Sequence, residues 1–202
     1  MMIGRVDEVD GHFVATRFVA LAVPTECLYV SRKSPRSTIA GSTSQEVRIQ
    51  TEWRSVALGY GRVWLPVLAV ALPIVQAGFG KVHATTWLLS AVLLALSAYA
   101  HRLGKLPERE KARLRVLGTV TGLRIDPSKL RPATREAKRA QLADLMTKGG
   151  IPTTAEGILS IVEDIPTPAL PLVYGYACYA GDDAEWRSCA TVIYERHEQS
   201  ML

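Results

Sequence analysis

Two long apolar stretches of this chain, residues 63–80 and 84–100, contain no Asp, Glu, Lys or Arg, and much of the remainder is polar or charged. An α-helix rises about 1.5 Å per residue, so about 20 residues cross a hydrocarbon core of about 30 Å, with a lower limit near 17. Extended to their borders, the two stretches predict spans at about 60–80 and 83–101. The link "GFGKVHATT" is too short to hold a domain, so the pair is expected to form a helical hairpin. The competing expectation is two buried helices of a soluble protein. The flanking segments have few apolar residues with which to wrap them. Tyr60 and Trp64 at one end of the first span, Phe79 at its other end, and Trp87 and Tyr99 about the second suit the headgroup zone, where amphipathic rings settle.

The first span holds two prolines. Pro66 falls near its expected start, where a missing N–H costs little. Pro73 is central; it removes the hydrogen bond to the Ala69 carbonyl and predicts a kink. Gln76, one turn on, is expected to satisfy freed backbone groups or to face the partner helix. In the second span Ala91 and Ala95 form a small-xxx-small pair that permits close approach to the first.

Direction follows from the flanking cations. Arg48, Arg54 and Arg62 precede the first span, and Arg102, Lys105, Arg109, Lys111, Arg113 and Arg115 follow the second. The connecting turn has only Lys81, with His83. The positive-inside rule places both termini in the cytoplasm and the turn outside. The same basic run, 102–115, is a candidate surface for anionic lipid. The formal net charge of +5 is compatible with nucleic-acid binding, but no readout motif is present, and no nucleic-acid partner is expected.

Ahead of the hairpin, "IGRVDEV" alternates, Asp10-Gly11 supplies a turn pair, and "HFVATRFVALAV" and "CLYVSR" are rich in β-branched and aromatic residues. A Ser/Thr/Gly/Pro-rich linker at 31–45 follows, and "EVRIQT" returns as a strand. Residues 1–52 are thus a small β-rich module, and 53–104 the hairpin. Residues 105–202 read as helices. Pro107 opens one that is expected to end at Gly118; Asp126-Pro127 starts another turn; 133–150 forms a helix ending at Gly149; Thr153 or Thr154 caps the next. "PALPLVYGYACYAG", too short to span, is expected as the central helix, with Tyr174, Tyr176 or Tyr179 in the core. Asp182 or Asp183 caps the last helix, on which Trp186, Cys189, Ala190, Ile193 and His197 share a face. The expected fold class is an α+β membrane protein: a transmembrane hairpin, a small β-rich N-terminal module and an all-α cytoplasmic C-terminal domain.

The N-terminus, "MMIGRVDEVDGH", has acids where a signal peptide carries a basic region. Cys27, Cys178 and Cys189 are odd in number and form no CxxC pair, which fits a reducing compartment. Two resemblances add to this. "HFVATRFVALAVPTECLYV", through Thr16, Phe18, Pro24, Tyr29 and Val30, resembles the segment after the zinc ribbon in small membrane-associated ribbon proteins of bacteria. This chain lacks the paired cysteines, so the likeness implies a membrane-linked β module without zinc. "PLVYGYACYAGDDAEWR" is similar to cytoplasmic tails of uncharacterised bacterial two-span membrane proteins. Both imply the bacterial inner membrane.

Chemistry is sparse. Cys178, Cys189 and His197 could meet as metal ligands, but both thiols sit among apolar residues, where inert buried cysteines are common. The pairs Asp7/Glu8, Glu108/Glu110 and Asp182/Asp183 suit turns and helix starts. No catalytic, cofactor-binding or metal-ligating residue is assigned, which points away from an enzyme. The expected function is membrane-anchored interaction or scaffolding, as a subunit of a larger assembly or through self-association of the hairpin. The alternatives are an enzyme or transport accessory whose site forms on oligomerisation, and an anionic-lipid-binding regulator.

Overall fold

The computed structural model describes residues 2–19, 23–31, 45–81, 83–103 and 105–201. Most of the expected linker at 31–45 lies outside them. The chain divides into two compact units, Met1–Leu106 and Pro107–Leu202.

The first unit joins the β module and the hairpin. Strands β1 (Met2–Val9), β2 (His12–Val19), β3 (Val23–Ser31) and β4 (Gln45–Arg48) form an antiparallel sheet in chain order. Asp10 and Gly11, both at positive φ, make the two-residue turn that the sequence signals, with Val9 opposite His12. Along β2, Val14, Ala15, Thr16 and Phe18 are buried, so both faces of the strand are covered at its middle. In β3, Cys27 to Val30 are buried at successive positions, so both faces are covered there.

Helix α1 (Trp53–Gly78) and helix α2 (Ala84–Arg102) form the hairpin, and both are long and apolar enough to cross a membrane. Helix α1 starts seven residues before the expected span. Its first turns, polar enough to be excluded from the apolar stretch, pack Ser55, Val56, Leu58 and Gly59 inward beside β1 and β2. The junction is specific. Thr16 Oγ1 lies 2.8 Å from Ser55 Oγ and 3.4 Å from Cys27 Sγ, and the Glu52 N–H donates to Cys27 Sγ at 3.3 Å. Phe18 meets Tyr60 edge to face at 5.3 Å. With the helix starting at Trp53, Pro66 is interior to it, so it leaves the Arg62 carbonyl without its i+4 donor, as Pro73 does for Ala69. The helix continues through both prolines to Gly78.

The second unit is helical: α3 (Glu108–Thr121), α4 (Pro132–Lys148), α5 (Ala155–Ser160), α6 (Leu170–Ala180) and α7 (Ala184–Gln199), with a 3₁₀ turn at Pro127–Lys129. Helix α6 is the centre, packed by α3, α4 and α7, and Leu170, Val173, Tyr174, Tyr176, Ala177 and Tyr179 on it are buried. Asp183 caps α7 by accepting from the Trp186 N–H at 2.9 Å, and Thr154 caps α5 through the Gly157 N–H. Helix α3 runs past Gly118 to a left-handed cap at Gly122 (φ 73°). Gly118 serves another need: a Cβ there would lie 2.4 Å from Arg124 Cγ, so its missing side chain is where Arg124 packs.

Candidate functional site

Two features of the molecule carry functional information: the surface of the hairpin and a cleft in the helical unit.

The hairpin is packed inside out by the standard of a soluble protein. Along the apolar spans the buried side chains are small: Ala69 is 3% exposed, Ser90 5%, Ser97 6% and Ala100 7%. The large apolar residues point away, with Ile74 65%, Leu88 70% and Phe79 90% exposed. Val67, Leu68, Val70, Val75, Val92 and Leu96 follow suit. Water would drive such residues inward, at roughly 25 cal/mol per Å² of apolar surface. Small residues at the seam let backbones approach closely, which is how helices pair where burial of large side chains yields nothing. A Cβ on Gly61 would lie 3.6 Å from Ala100 Cβ, in ordinary contact. The seam is formed by Ser90, Ser97 and Ala100. Ala91 and Ala95, the expected pair, are exposed. Ser90 Oγ is buried without a hydrogen-bond partner in an apolar groove that Pro73 and Trp87 also line.

Polar ties sit at the two ends of the hairpin. At the turn, Gln76 Oε1 accepts from the His83 N–H at 3.3 Å and from the Thr86 hydroxyl, so it faces the partner helix. At the other end, Arg62 donates through Nε and Nη2 to the Ala100 carbonyl (3.2 and 3.1 Å) and through Nη1 to the Arg5 carbonyl (2.8 Å). Arg54 donates to the Leu103 carbonyl at 3.0 Å. Two guanidiniums of α1 thus satisfy carbonyls at the C-terminus of α2, the negative end of its dipole. Between Tyr60 and Phe79 the helix rises about 28 Å, so the aromatic residues bracket a band of hydrocarbon thickness.

The basic run 102–115 divides between the two units. Arg102 and Lys105 close the first unit and are exposed. On α3, positions two apart differ by about 200° around the axis, which sets Arg109 and Arg113 opposite Lys111 and Arg115. Lys111 pairs with Glu108 at 2.7 Å, and Arg113 turns inward.

Arg113 enters a cleft of about 590 Å³ between α3, the 126–128 turn, α6 and α7. Its Nε donates to Tyr174 Oη at 3.2 Å, and Cys178 follows Tyr174 one turn along α6. Burial pulls the Arg113 pKa down, but Tyr174 and the Glu110 carboxylate outweigh it and hold the guanidinium above its ordinary value. Burial pushes the Tyr174 phenol up, and Cys178 adds to this. Burial also pushes the Cys178 thiol up to about 11, against the opposing pull of Tyr174 and Arg113. Cys189 is fully buried, and burial raises it to about 11 as well. Both thiols are protonated near neutral pH and are poor nucleophiles.

The sequence offers one clue to this polar chain, the i,i+4 spacing of Tyr174 and Cys178. That Arg113 joins them follows only from the packing of α3 on α6. Cys178, Cys189 and His197 do not assemble as a metal set: among the described residues no three His, Cys, Asp or Glu side chains converge. His197 Nδ1 is buried without a hydrogen-bond partner. Comparison with family models, with curated proteins and with solved structures finds no match to this chain.

Proposed function

We propose that this chain is a two-span protein of the bacterial cytoplasmic membrane, with both termini in the cytoplasm, that acts as a membrane-anchored interaction or scaffold subunit of a larger assembly. The observation that carries the reading is the inverted burial of the hairpin. Ser90, Ser97 and Ala100 are inside while Ile74, Leu88 and Phe79 are outside, a pattern stable in lipid and costly in water. Orientation rests on Arg54, Arg62, Arg102 and Lys105 at one end, against Lys81 alone at the other. The bacterial setting rests on the resemblance of the N-terminal strands and the α6–α7 segment to bacterial membrane proteins. A β module tied directly to the span and a separate helical unit are the parts such an anchor presents to partners.

Alkaline carbonate extraction tests the first step, and the chain is expected to stay with the membrane pellet. Labelling tests orientation. In a variant without the native cysteines, Lys81→Cys is expected to react with an impermeant maleimide in intact cells and Lys105→Cys only after lysis. Recovery in the soluble fraction, or the reverse labelling, contradicts the reading. Purification in mild detergent tests the scaffold role: a stoichiometric partner is expected, and a lone monomer counts against it.

A further inference from the structure

The cleft of the helical unit has the size of a small-molecule site, for which 300–1,000 Å³ is usual. Its charges are unequally engaged. Asp182 is held by both guanidinium nitrogens of Arg135, at 2.7 and 3.0 Å. Asp126 accepts from the Ser128 N–H and hydroxyl in its own turn, at 2.8 and 2.7 Å. Glu110 reaches Arg113 Nη1 at only 3.7 Å. The carboxylates on the cleft are therefore largely committed or loosely held, while two cations keep donors to offer. Arg113 uses Nε on Tyr174, and Arg187 uses Nε on the Asp183 carbonyl at 3.3 Å. The buried Leu114, Leu117 and Ala177 form the core beneath the cleft, and the half-buried Trp186 lines it. Trp186 lies so close to the α6–α7 turn that a Cβ on Gly181 would sit 2.5 Å from its Cδ1. Glycine is what allows the indole to close against that edge of the cleft.

We propose that this cleft binds a small amphiphilic oxyanion, a carboxylate or phosphate monoester on an apolar or aromatic body. The oxyanion takes the guanidinium donors of Arg113 and Arg187, displacing the loose Glu110 contact, and the body lies against the half-buried Trp186. Arginine suits the task because its fork matches an oxyanion in two hydrogen bonds. Tyr174 holds the Arg113 side chain from behind, which lowers the entropy lost on binding. The inference does not depend on the membrane reading, because every residue it uses belongs to the helical unit.

The test is titration of the full chain in lipid nanodiscs with benzoate, phenyl phosphate and benzylamine, reading the Trp186 indole N–H by NMR, assigned through Trp186→Phe. A saturable shift with benzoate or phenyl phosphate, with a Kd on the order of 1 mM or tighter, is expected, and no saturable shift with benzylamine. The two anion arms distinguish carboxylate from phosphate monoester. Arg113→Gln and Arg187→Gln are each expected to weaken binding roughly tenfold. Arg187 is exposed, so its variant keeps the test decisive where Arg113→Gln perturbs folding. No saturation with either anion, an equal response to benzylamine, or undiminished binding in Arg187→Gln overturns the proposal.

Discussion

Helices α2 and α6 are both rich in apolar residues, yet they use them in opposite ways. Helix α6 turns Val173, Tyr174, Tyr176 and Tyr179 into a core, with Leu117, Leu142 and Ile193 from its neighbours among the most buried side chains of the chain. Helix α2 buries Ser90, Ser97 and Ala100 and shows Leu88, Leu89, Val92 and Leu96 to the outside. Apolar content alone therefore says little about where a helix lives. What distinguishes them is which residues the fold hides: large apolar side chains on α6, small ones on α2, the difference on which the proposed membrane setting of the hairpin rests.

The comparison can be broken most sharply in the helical core. Leu142→Ala should cost about 2–5 kcal/mol by chemical denaturation, because it removes a fully buried side chain and leaves a cavity. Leu88→Ala on the hairpin should cost less than about 1 kcal/mol in a bilayer, since lipid fills the space that the side chain leaves. Equal losses would erase the distinction. Next in size is Ser97→Leu, which overpacks the small-residue seam. It should destabilise the hairpin by about 1–3 kcal/mol, measured by unfolding in mixed micelles. A neutral effect would mean that the close approach of α1 and α2 is not required.

Removal of the Asp183 cap by Asp183→Ala should lower the stability of the helical unit by about 1 kcal/mol and leave the hairpin untouched. Smaller still is Gln76→Leu. Loss of its hydrogen bonds to the head of α2 should cost about 0.6 kcal/mol, the average for an interhelical hydrogen bond in a membrane.

Alkaline pH offers a further separation. The folded Cys178 and Cys189 thiols ionise near pH 11, against about 8.5 for an unconstrained thiol. Folding holds these protons more tightly than the unfolded chain does. Their contribution is complete below about pH 8.5 and is lost progressively as pH rises toward 11. The melting temperature of the helical unit should fall across that window, and Cys178→Ala together with Cys189→Ala should flatten the decline. An unchanged slope in the double variant would assign the alkaline loss to other groups.

Much of the hairpin was legible in the residues themselves. A charge-free run long enough to span, interrupted by one short turn, has few helical solutions, and the structure forms helices over both runs. Local signals of the same kind were read correctly at Asp10-Gly11, Gly149, Thr154 and Asp183, because a turn or cap depends on two or three adjacent residues. Misreadings arose where a distant partner decides. Gly118 has the appearance of a cap until Arg124 is seen to occupy its empty side. Ala91 and Ala95 make a plausible seam, but the rotation of α2 about its axis selects Ser90 and Ser97. The start of α1 at Trp53 depends on a sheet that gives its polar first turns somewhere to pack.

The sequence by itself determined the two apolar helices, the short turn between them, the antiparallel strands ahead of them and most helix ends, since each is a matter of local periodicity or a few neighbouring atoms. Only the tertiary structure decided what the cations do. Read along the chain, Arg54, Arg62 and Arg113 are members of a basic flank. In the fold, Arg54 and Arg62 close the open carbonyls of α2, and Arg113 is drawn inward by the hydroxyl of Tyr174. A long charged side chain has many places to go, and its partner lies tens of residues away, so its role is set by packing that no local pattern encodes.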